Sequence, residues 1–502
     1  MSEQGLTRRF ATGLVWTWAA LGVTALVQLV YAATVSRLLE PADFGVMAAA
    51  MVGIRFVTYL ARFGVANAVV QRHELDQRGV STAWWLAVGI GVVACIVALL
   101  VAPVVAGLVR VPDAEPVVRW LSLALLAGSV GSIPEALLRR RLRFAAIAVI
   151  QVISYAVGYA AVGIALAAAG WGVWSLVAAT VAQAVILLVL SSVVAAQWPR
   201  LEFDRPVGSS MLRFGGTVSA TSFVEFLSAN IDVIAVGRYT NAASLGQYTR
   251  GTLLVALPIE QLSTSLYRVL LPGLSRLQFD GVRFRGAVQV AVGVQAVAVA
   301  VPAAVIAASA DLLVPLVLGP EWDLAASVLP IIALAYTFAL FTVIPAVAAE
   351  ALGAVGRRLI VQLVSLGTTV VFVGVVVITG PSVMRLAGAW LAGELIRLLL
   401  YILVVLPALG LSVRLLVARY LTALLLAGCV GVPIAVSVQV WDSGWFGAAT
   451  AGLLGVILAG LAAVSPLGRT LRQDVRGALT RWRAGSASSS ALQPGTAESP
   501  LS

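Results

Sequence analysis

Arg55, Tyr59 and Arg62 follow one another at i, i+4 and i+7 inside an apolar run, a spacing that puts all three on one face of a helix. Two guanidiniums on one face suit an anion. Arginine stays charged and presents a planar fork of donors that matches phosphate oxygens, so Arg55 and Arg62 are candidate ligands for a phosphate or diphosphate headgroup. Arg250 is the third, in a later apolar run where Gln261, Thr264 and Arg268 fall near the same face and Pro258 offers a kink. The acids lie elsewhere. Thr217, Thr221, Glu225, Ser228 and Asp232 step by three or four residues, which lays a polar stripe along one helical face. A carboxylate at membrane depth can neutralise itself by taking a proton or a sodium ion, so Glu225 and Asp232 are the candidate ion-coupling groups, with H+ or Na+ as the coupling ion. Glu394 and Arg397, at i and i+3, read as an intrahelical pair.

No enzyme constellation accompanies them. His73 stands in a polar loop, while Cys95 and Cys429 each lie inside an apolar span, so neither a metal set nor a disulfide framework is expected. Asp311, Glu321 and Asp323 share the longest outer loop and read as solvated charge rather than catalytic acids. A formal charge of +11 in a soluble chain would point to nucleic acid. Here the arginines cluster at the ends of apolar runs, and membrane orientation explains them better; no nucleic-acid partner is expected.

The elements that must position these groups are membrane helices. With 61% hydrophobic and 11% charged residues and a mean hydropathy of +1.01, the chain is an integral membrane protein. A helix crossing a hydrocarbon core of ~30 Å needs about 20 mostly apolar residues. Such runs lie near 13–35, 42–64, 83–109, 117–138, 144–169 and 171–196, then near 212–236, 243–266, 284–308, 324–349, 359–378 and 384–406, and finally near 415–438 and 445–465. Fourteen spans are therefore expected, in an all-α fold. The first is too long for the core of a signal peptide and should remain in the membrane. A basic, Ser/Gly/Pro-rich tail follows and reads as disordered.

Assigned alternately to the two sides of the membrane, the loops hold 24 arginines on one side and 5 on the other, with Arg55, Arg62, Arg250 and Arg397 left within spans. Arginine-rich loops stay cytoplasmic, which places both termini there. On that orientation Arg250 lies ~9 Å below the outer surface at 1.5 Å per residue, Arg55 sits deeper and Arg62 lies near the cytoplasmic end. The three form a ladder between leaflets.

The chain also repeats itself. Val35, Arg37, Ala42 and Gly45 return 201 residues later as Val236, Arg238, Ala243 and Gly246, and a second echo at an offset of 211 pairs Ile133-Pro134 with Ile344-Pro345 and Gln151 and Ser154 with Gln362 and Ser365. Recurrence in register points to a duplicated unit of six spans, which enters the membrane in the same direction both times. The expected organisation is a lobe at 1–199, a second at 200–410, two further spans at 411–466 and a cytoplasmic tail at 467–502, with a central cavity between the lobes. Under the 201-residue shift Thr24 falls opposite Glu225 and Tyr31 opposite Asp232, with Gln28 between. Thr24, Gln28, Tyr31, Tyr59 and Gln261 are accordingly expected to line the cavity.

The stretch Arg37-Leu38-Leu39-Glu40-Pro41-Ala42-Asp43-Phe44-Gly45 resembles the R-L-L-x-P-x-D-F-G signature of Wzx-type oligosaccharide flippases in the polysaccharide-synthase family. So do Phe63-Gly64 through Arg72, Ile133-Pro134-Glu135, Gly172-Val173-Trp174-Ser175, Asn230-Ile231-Asp232, Leu245 through Arg250, Leu270 through Leu277 and Leu318-Gly319-Pro320-Glu321-Trp322. The resemblance implies the multidrug/oligosaccharidyl-lipid/polysaccharide exporter fold, with two six-helix lobes around a cavity and alternating access. It implies a polyprenyl-diphosphate-linked oligosaccharide as cargo, moved from the inner to the outer leaflet of a bacterial inner membrane, and polymerase and glycosyltransferases as partners. One departure is Ala229, where the family often has a basic residue before Asn-x-Asp. Two other readings stay open: a cation-coupled drug or small-molecule exporter of the same fold, which would want a more acidic cavity, and a membrane enzyme of polysaccharide assembly, which would want a large outer loop with paired charges.

Overall fold

A computed structural model describes residues 22–24, 26–60, 65–71, 76–215, 219–277 and 279–440. The described residues are helical, joined by short turns. In chain order they form α1 (Gly22–Ser36), α2 (Pro41–Leu60), α3 (Val65–Gln71), α4 (Gln77–Val109), α5 (Ala114–Arg140), α6 (Phe144–Ile153), α7 (Val162–Ala168), α8 (Val173–Ala195), α9 (Arg205–Gly215), α10 (Ser219–Tyr239) and α11 (Ala242–Arg276). Then come α12 (Gly281–Ala308), α13 (Ala310–Val317), α14 (Asp323–Phe341), α15 (Val343–Ala351), α16 (Val355–Thr379), α17 (Val383–Leu400), α18 (Leu406–Ala408) and α19 (Val413–Val440).

Ten helical runs among the described residues are long and apolar enough to cross a bilayer, and they coincide with expected spans two to six and nine to thirteen. Span one appears as the shorter α1. Spans seven and eight appear as α10 and α11, long helices whose polar residues, Glu225, Asp232 and Arg250 among them, set them apart from the apolar ten. The fourteenth span and the tail lie outside the described residues, as do Arg62 and His73. Large apolar side chains such as Leu100, Val104, Ile378, Leu403 and Val432 are exposed, which suits a lipid-facing surface.

Three expected spans are not continuous α-helices. In the fifth, a π-helical segment at Ser154–Ala161 joins α6 to α7, and in the twelfth another at Tyr401–Val405 joins α17 to α18. The tenth breaks between α14 and α15 for a readable reason. Pro345 has no N–H to offer the carbonyl of Phe341 four residues back, and the Tyr420 hydroxyl donates to that carbonyl instead at 2.9 Å.

The chain divides into two compact units, described separately. Unit 1 holds the described residues through Leu257 together with Leu313–Ile332 and Gln362–Gly393. One of its cores gathers Val69, Val80, Trp84, Ile133 and Leu137, and Met211 of α9 packs into it. The segment leading to α9 is fastened along the start of α4: Ser81 and Thr82 hydroxyls accept from the backbone N–H groups of Arg200 and Asp204, both at 2.9 Å. At the far end of α5, Arg141 donates to the Ala195 carbonyl at 2.7 Å, Arg143 to Val194 at 3.0 Å and Arg140 to Val69 at 3.1 Å. These are carbonyls of a helix's last turn, which lack intrahelical donors and attract cations. Unit 2 holds the described residues of Pro258–Leu312, of Ala333–Val361 and from Glu394 onward. Its core collects Phe284, Val288, Phe341, Ile344, Leu406 and Leu416 around the stacked rings of Phe341 and Tyr420.

Candidate functional site

The repeated motif starts two helices and brings them together. Pro41 opens α2, where a missing N–H costs nothing. Two residues on, the Asp43 carboxylate accepts from the Glu40 N–H at 3.3 Å and from the Val173 N–H at 2.9 Å, so one side chain serves the N-termini of α2 and α8. The second copy opens α11 by a different device, with the Asn241 side chain accepting from the Ser244 N–H at 2.8 Å.

The two copies then meet reciprocally. A Cβ built on Gly45 would lie 1.7 Å from the Ala242 carbonyl oxygen, and one built on Gly246 would lie 1.7 Å from the Pro41 carbonyl oxygen. Ala242 is the counterpart of Pro41 at the 201-residue offset, as Gly246 is of Gly45. Backbone therefore touches backbone across a local two-fold relation, which only a residue without a side chain permits.

Further contacts close over this apposition. The buried Trp322 indole donates to the Ser36 carbonyl at 3.1 Å and sets its ring on edge against Phe44, with centroids 5.4 Å apart. Arg37 donates to the Leu316 carbonyl at 2.6 Å. Gln247 spends both ends of its amide on the same loop, donating to the Glu321 carbonyl at 3.1 Å and accepting from the Ala325 N–H at 3.0 Å.

Beneath lie the arginines. The Arg250 guanidinium carbon is 3.8 Å from the centre of the Phe44 ring, a cation–π contact, and Tyr31, Tyr155 and Tyr159 are near enough to feel its charge. Those three tyrosines form a cluster: Tyr31 and Tyr159 rings lie 4.7 Å apart, and Tyr155 stacks on Tyr159 at 5.0 Å. Tyr155 and Tyr159 belong to the π-helical segment, and such wide turns often occur at functional sites. Eleven residues past Phe44, or roughly 16 Å along α2, Arg55 donates to the Asn230 side-chain oxygen at 3.2 Å. Asn230 is itself pinned, because its amide nitrogen donates to the Phe226 carbonyl at 2.9 Å. Two residues on, buried Asp232 accepts from the Tyr248 hydroxyl at 2.8 Å.

Of the residues picked from the sequence, unit 1 places Arg250 near Tyr31 and, further along α2, Arg55 near Asp232. Tyr59 is half-buried with its ring 6.0 Å from that of Phe226, and Thr24, Gln28 and Glu225 are half-buried. Gln261 falls within α11. Glu394 and Arg397 belong to unit 2, where they pair at 2.5 Å and Arg397 also donates to the Ala339 carbonyl. The sequence reading passed over Phe44, Asn230, Tyr155, Tyr159 and Tyr248 as site residues. Three of them lie inside motifs that carried the family resemblance, and Tyr155 with Tyr159 form an i, i+4 aromatic pair within a span; those were the available signals.

What this arrangement can do is hold anions: Arg55 is exposed, and a guanidinium has five N–H donors, of which the bond to Asn230 uses one. A family model described as polysaccharide biosynthesis protein matches residues 34–327, a stretch that includes Phe44, Arg55, Asn230, Asp232, Arg250 and Trp322. WzxC of Escherichia coli (strain K12), a lipopolysaccharide biosynthesis protein, is 25% identical over 418 residues, covering 82% of this chain and 83% of its own length. ExoT of Rhizobium meliloti (strain 1021), a succinoglycan biosynthesis transport protein, is 25% identical over 320 residues, 63% of this chain and 64% of its own. Among solved structures, the lipid II flippase MurJ in an inward closed conformation aligns with a TM-score of 0.70 at 12% identity, over 89% of this chain and 98% of that one. An inward-facing multidrug resistance transporter of the MATE family, in the MOP superfamily, aligns with a TM-score of 0.56 at 14% identity, over 80% of this chain and 98% of that one. Both likenesses show the fold, a multi-helix membrane transporter fold, as the sequence resemblance implied.

Proposed function

The chain belongs to the polysaccharide biosynthesis protein family, and we propose that it is a flippase that carries a polyprenyl-diphosphate-linked oligosaccharide from the inner to the outer leaflet of a bacterial inner membrane. The observation that carries this reading is Arg55, an exposed guanidinium within a membrane span, fourteen residues past the start of α2 and in one unit with Arg250. A charge at that depth is costly and marks a substrate or ion pathway. Two arginines match the two phosphates of a lipid diphosphate better than they match a cationic drug.

In this reading residues 1–199 and 200–410 are the lobes of an alternating-access transporter, and both termini are cytoplasmic. Arg250, Arg55 and Arg62 hand the diphosphate along between leaflets. Asp232 and Glu225 bind the coupling H+ or Na+ and bias the two access states. A polymerase and glycosyltransferases act before and after transport.

Complementation of glycan export, at matched membrane expression, tests the reading. Arg55→Lys keeps the charge without the fork and should retain part of the activity, while Arg55→Ala retains little. Full export by an Arg55→Ala, Arg62→Ala double mutant would overturn it.

A further inference from the structure

Arg55 and Arg250 are each held by a partner from the other repeat. Arg55 sits on α2 and is taken by Asn230 of α10; Arg250 sits on α11 and is taken by Phe44 of α2. Both partners are buried and fixed from behind, Asn230 by its bond to the Phe226 carbonyl and Phe44 by the Trp322 ring. Both are also neutral. A carboxylate at either place would hold a guanidinium by a charge-assisted fork, whereas an amide oxygen at 3.2 Å and a phenyl face hold it loosely enough for a stronger anion to take it.

We propose that Arg55 and Arg250 are latches as well as ligands, so that a polyprenyl diphosphate, by drawing the guanidiniums one after the other from Asn230 and Phe44, itself loosens the apposition of α2 with α10 and α11. The idea rests on the headgroup reading above and adds its regulation. The diphosphate has the chemistry to do this, because its charged oxygens accept two parallel N–H bonds from each guanidinium. Phe44 links the release to the closure above it. Its ring contacts Arg250 on one side and Trp322 on another, and Trp322 holds the Ser36 carbonyl. A ligand shifts such an equilibrium only by its differential affinity for the two arrangements, and competition for these arginines supplies the difference.

The neutrality of Asn230 gives a test with opposite signs. The probe is the full chain in vesicles with or without polyprenyl diphosphate, with Cys95 and Cys429 replaced by serine and a reporter cysteine at Ser36, which is buried under Trp322. The rate of maleimide labelling reads the opening of the apposition. The parent should label slowly, and about tenfold faster with the lipid, the factor expected for one hydrogen bond to a charged group. Asn230→Ala should label fast without lipid and gain less than about twofold from it, while still binding polyprenyl diphosphate. Asn230→Asp, which keeps the buried volume and so reports even where Asn230→Ala inserts poorly, should label slowly with and without lipid. Equal labelling of parent and Asn230→Asp in the presence of lipid would overturn the latch. The headgroup reading fails by a separate result: Arg55→Ala that binds polyprenyl diphosphate as tightly as the parent.

Discussion

Pro41–Gly45 and Ala242–Gly246 occupy the same place in two repeats, and they differ in what their side chains have been given to do. Each copy starts a helix and ends in a glycine whose missing Cβ admits the other copy's carbonyl. Between those fixed points the chemistry has parted. The first copy has Asp43, which ties α2 to α8, and Phe44, which faces Arg250 and Trp322. The second has Ser244, whose backbone N–H is the part used, and Leu245, which is fully buried. Backbone geometry is what the duplication keeps, because it sets how near the two helices come. Side chains were free to specialise, and only one copy became the polar hub.

The largest effect expected from this comparison is at the glycines. Gly45→Ala and Gly246→Ala each place a methyl inside a carbonyl's van der Waals radius, and each should cost about 1–3 kcal/mol as the helices are forced apart. Glycan export should fail in both, and thermal unfolding in detergent should drop by a similar amount. Export that survives in one and fails in the other would break the two-fold relation. Next come exchanges between the copies. Phe44→Leu, which gives the first copy the second's residue, removes a cation–π contact of about 0.5–2 kcal/mol and should lower the unfolding midpoint modestly. The reverse exchange, Leu245→Phe, overfills a buried site and should lower it more. The smallest effect separates the caps. Asp43→Ala should cost about 1 kcal/mol through the lost bonds to two helix starts, whereas Ser244→Ala should be nearly silent in the same unfolding measurement.

Much of the frame was legible from the residues. The 201-residue echo located the two glycines before any geometry was known, since Gly and Pro positions recur where backbone shape is under constraint. Helix places followed from apolar runs about 20 residues long. Arg55 and Arg250 stood out because charge inside an apolar run needs a reason. Their partners did not. Asn230 is 175 residues from Arg55, and nothing in the local pattern says which of several polar residues on α10 turns toward it. Phe44 looked like one apolar residue among many. The π-helical segment at Ser154–Ala161 also escaped, because its side chains follow ordinary helical spacing and the wide turn is a property of the backbone. Likewise the tenth span read as a single helix: Pro345 announced a lost donor, but the Tyr420 hydroxyl that answers it lies 79 residues from Phe341.

The arginines at the end of α5 carry a consequence for how the protein is made. Residues such as Arg141 and Arg143 act on the growing chain as charge, and a lysine would serve equally there. Once the helices have gathered, the same side chains become rivets on the carbonyls of Ala195 and Val194, a task for a rigid fork rather than a point charge. Biogenesis and mechanical integrity are then written in one set of residues but in different grammars. Replacing Arg141 and Arg143 by lysine separates the two: the chain would be threaded correctly and left loosely fastened.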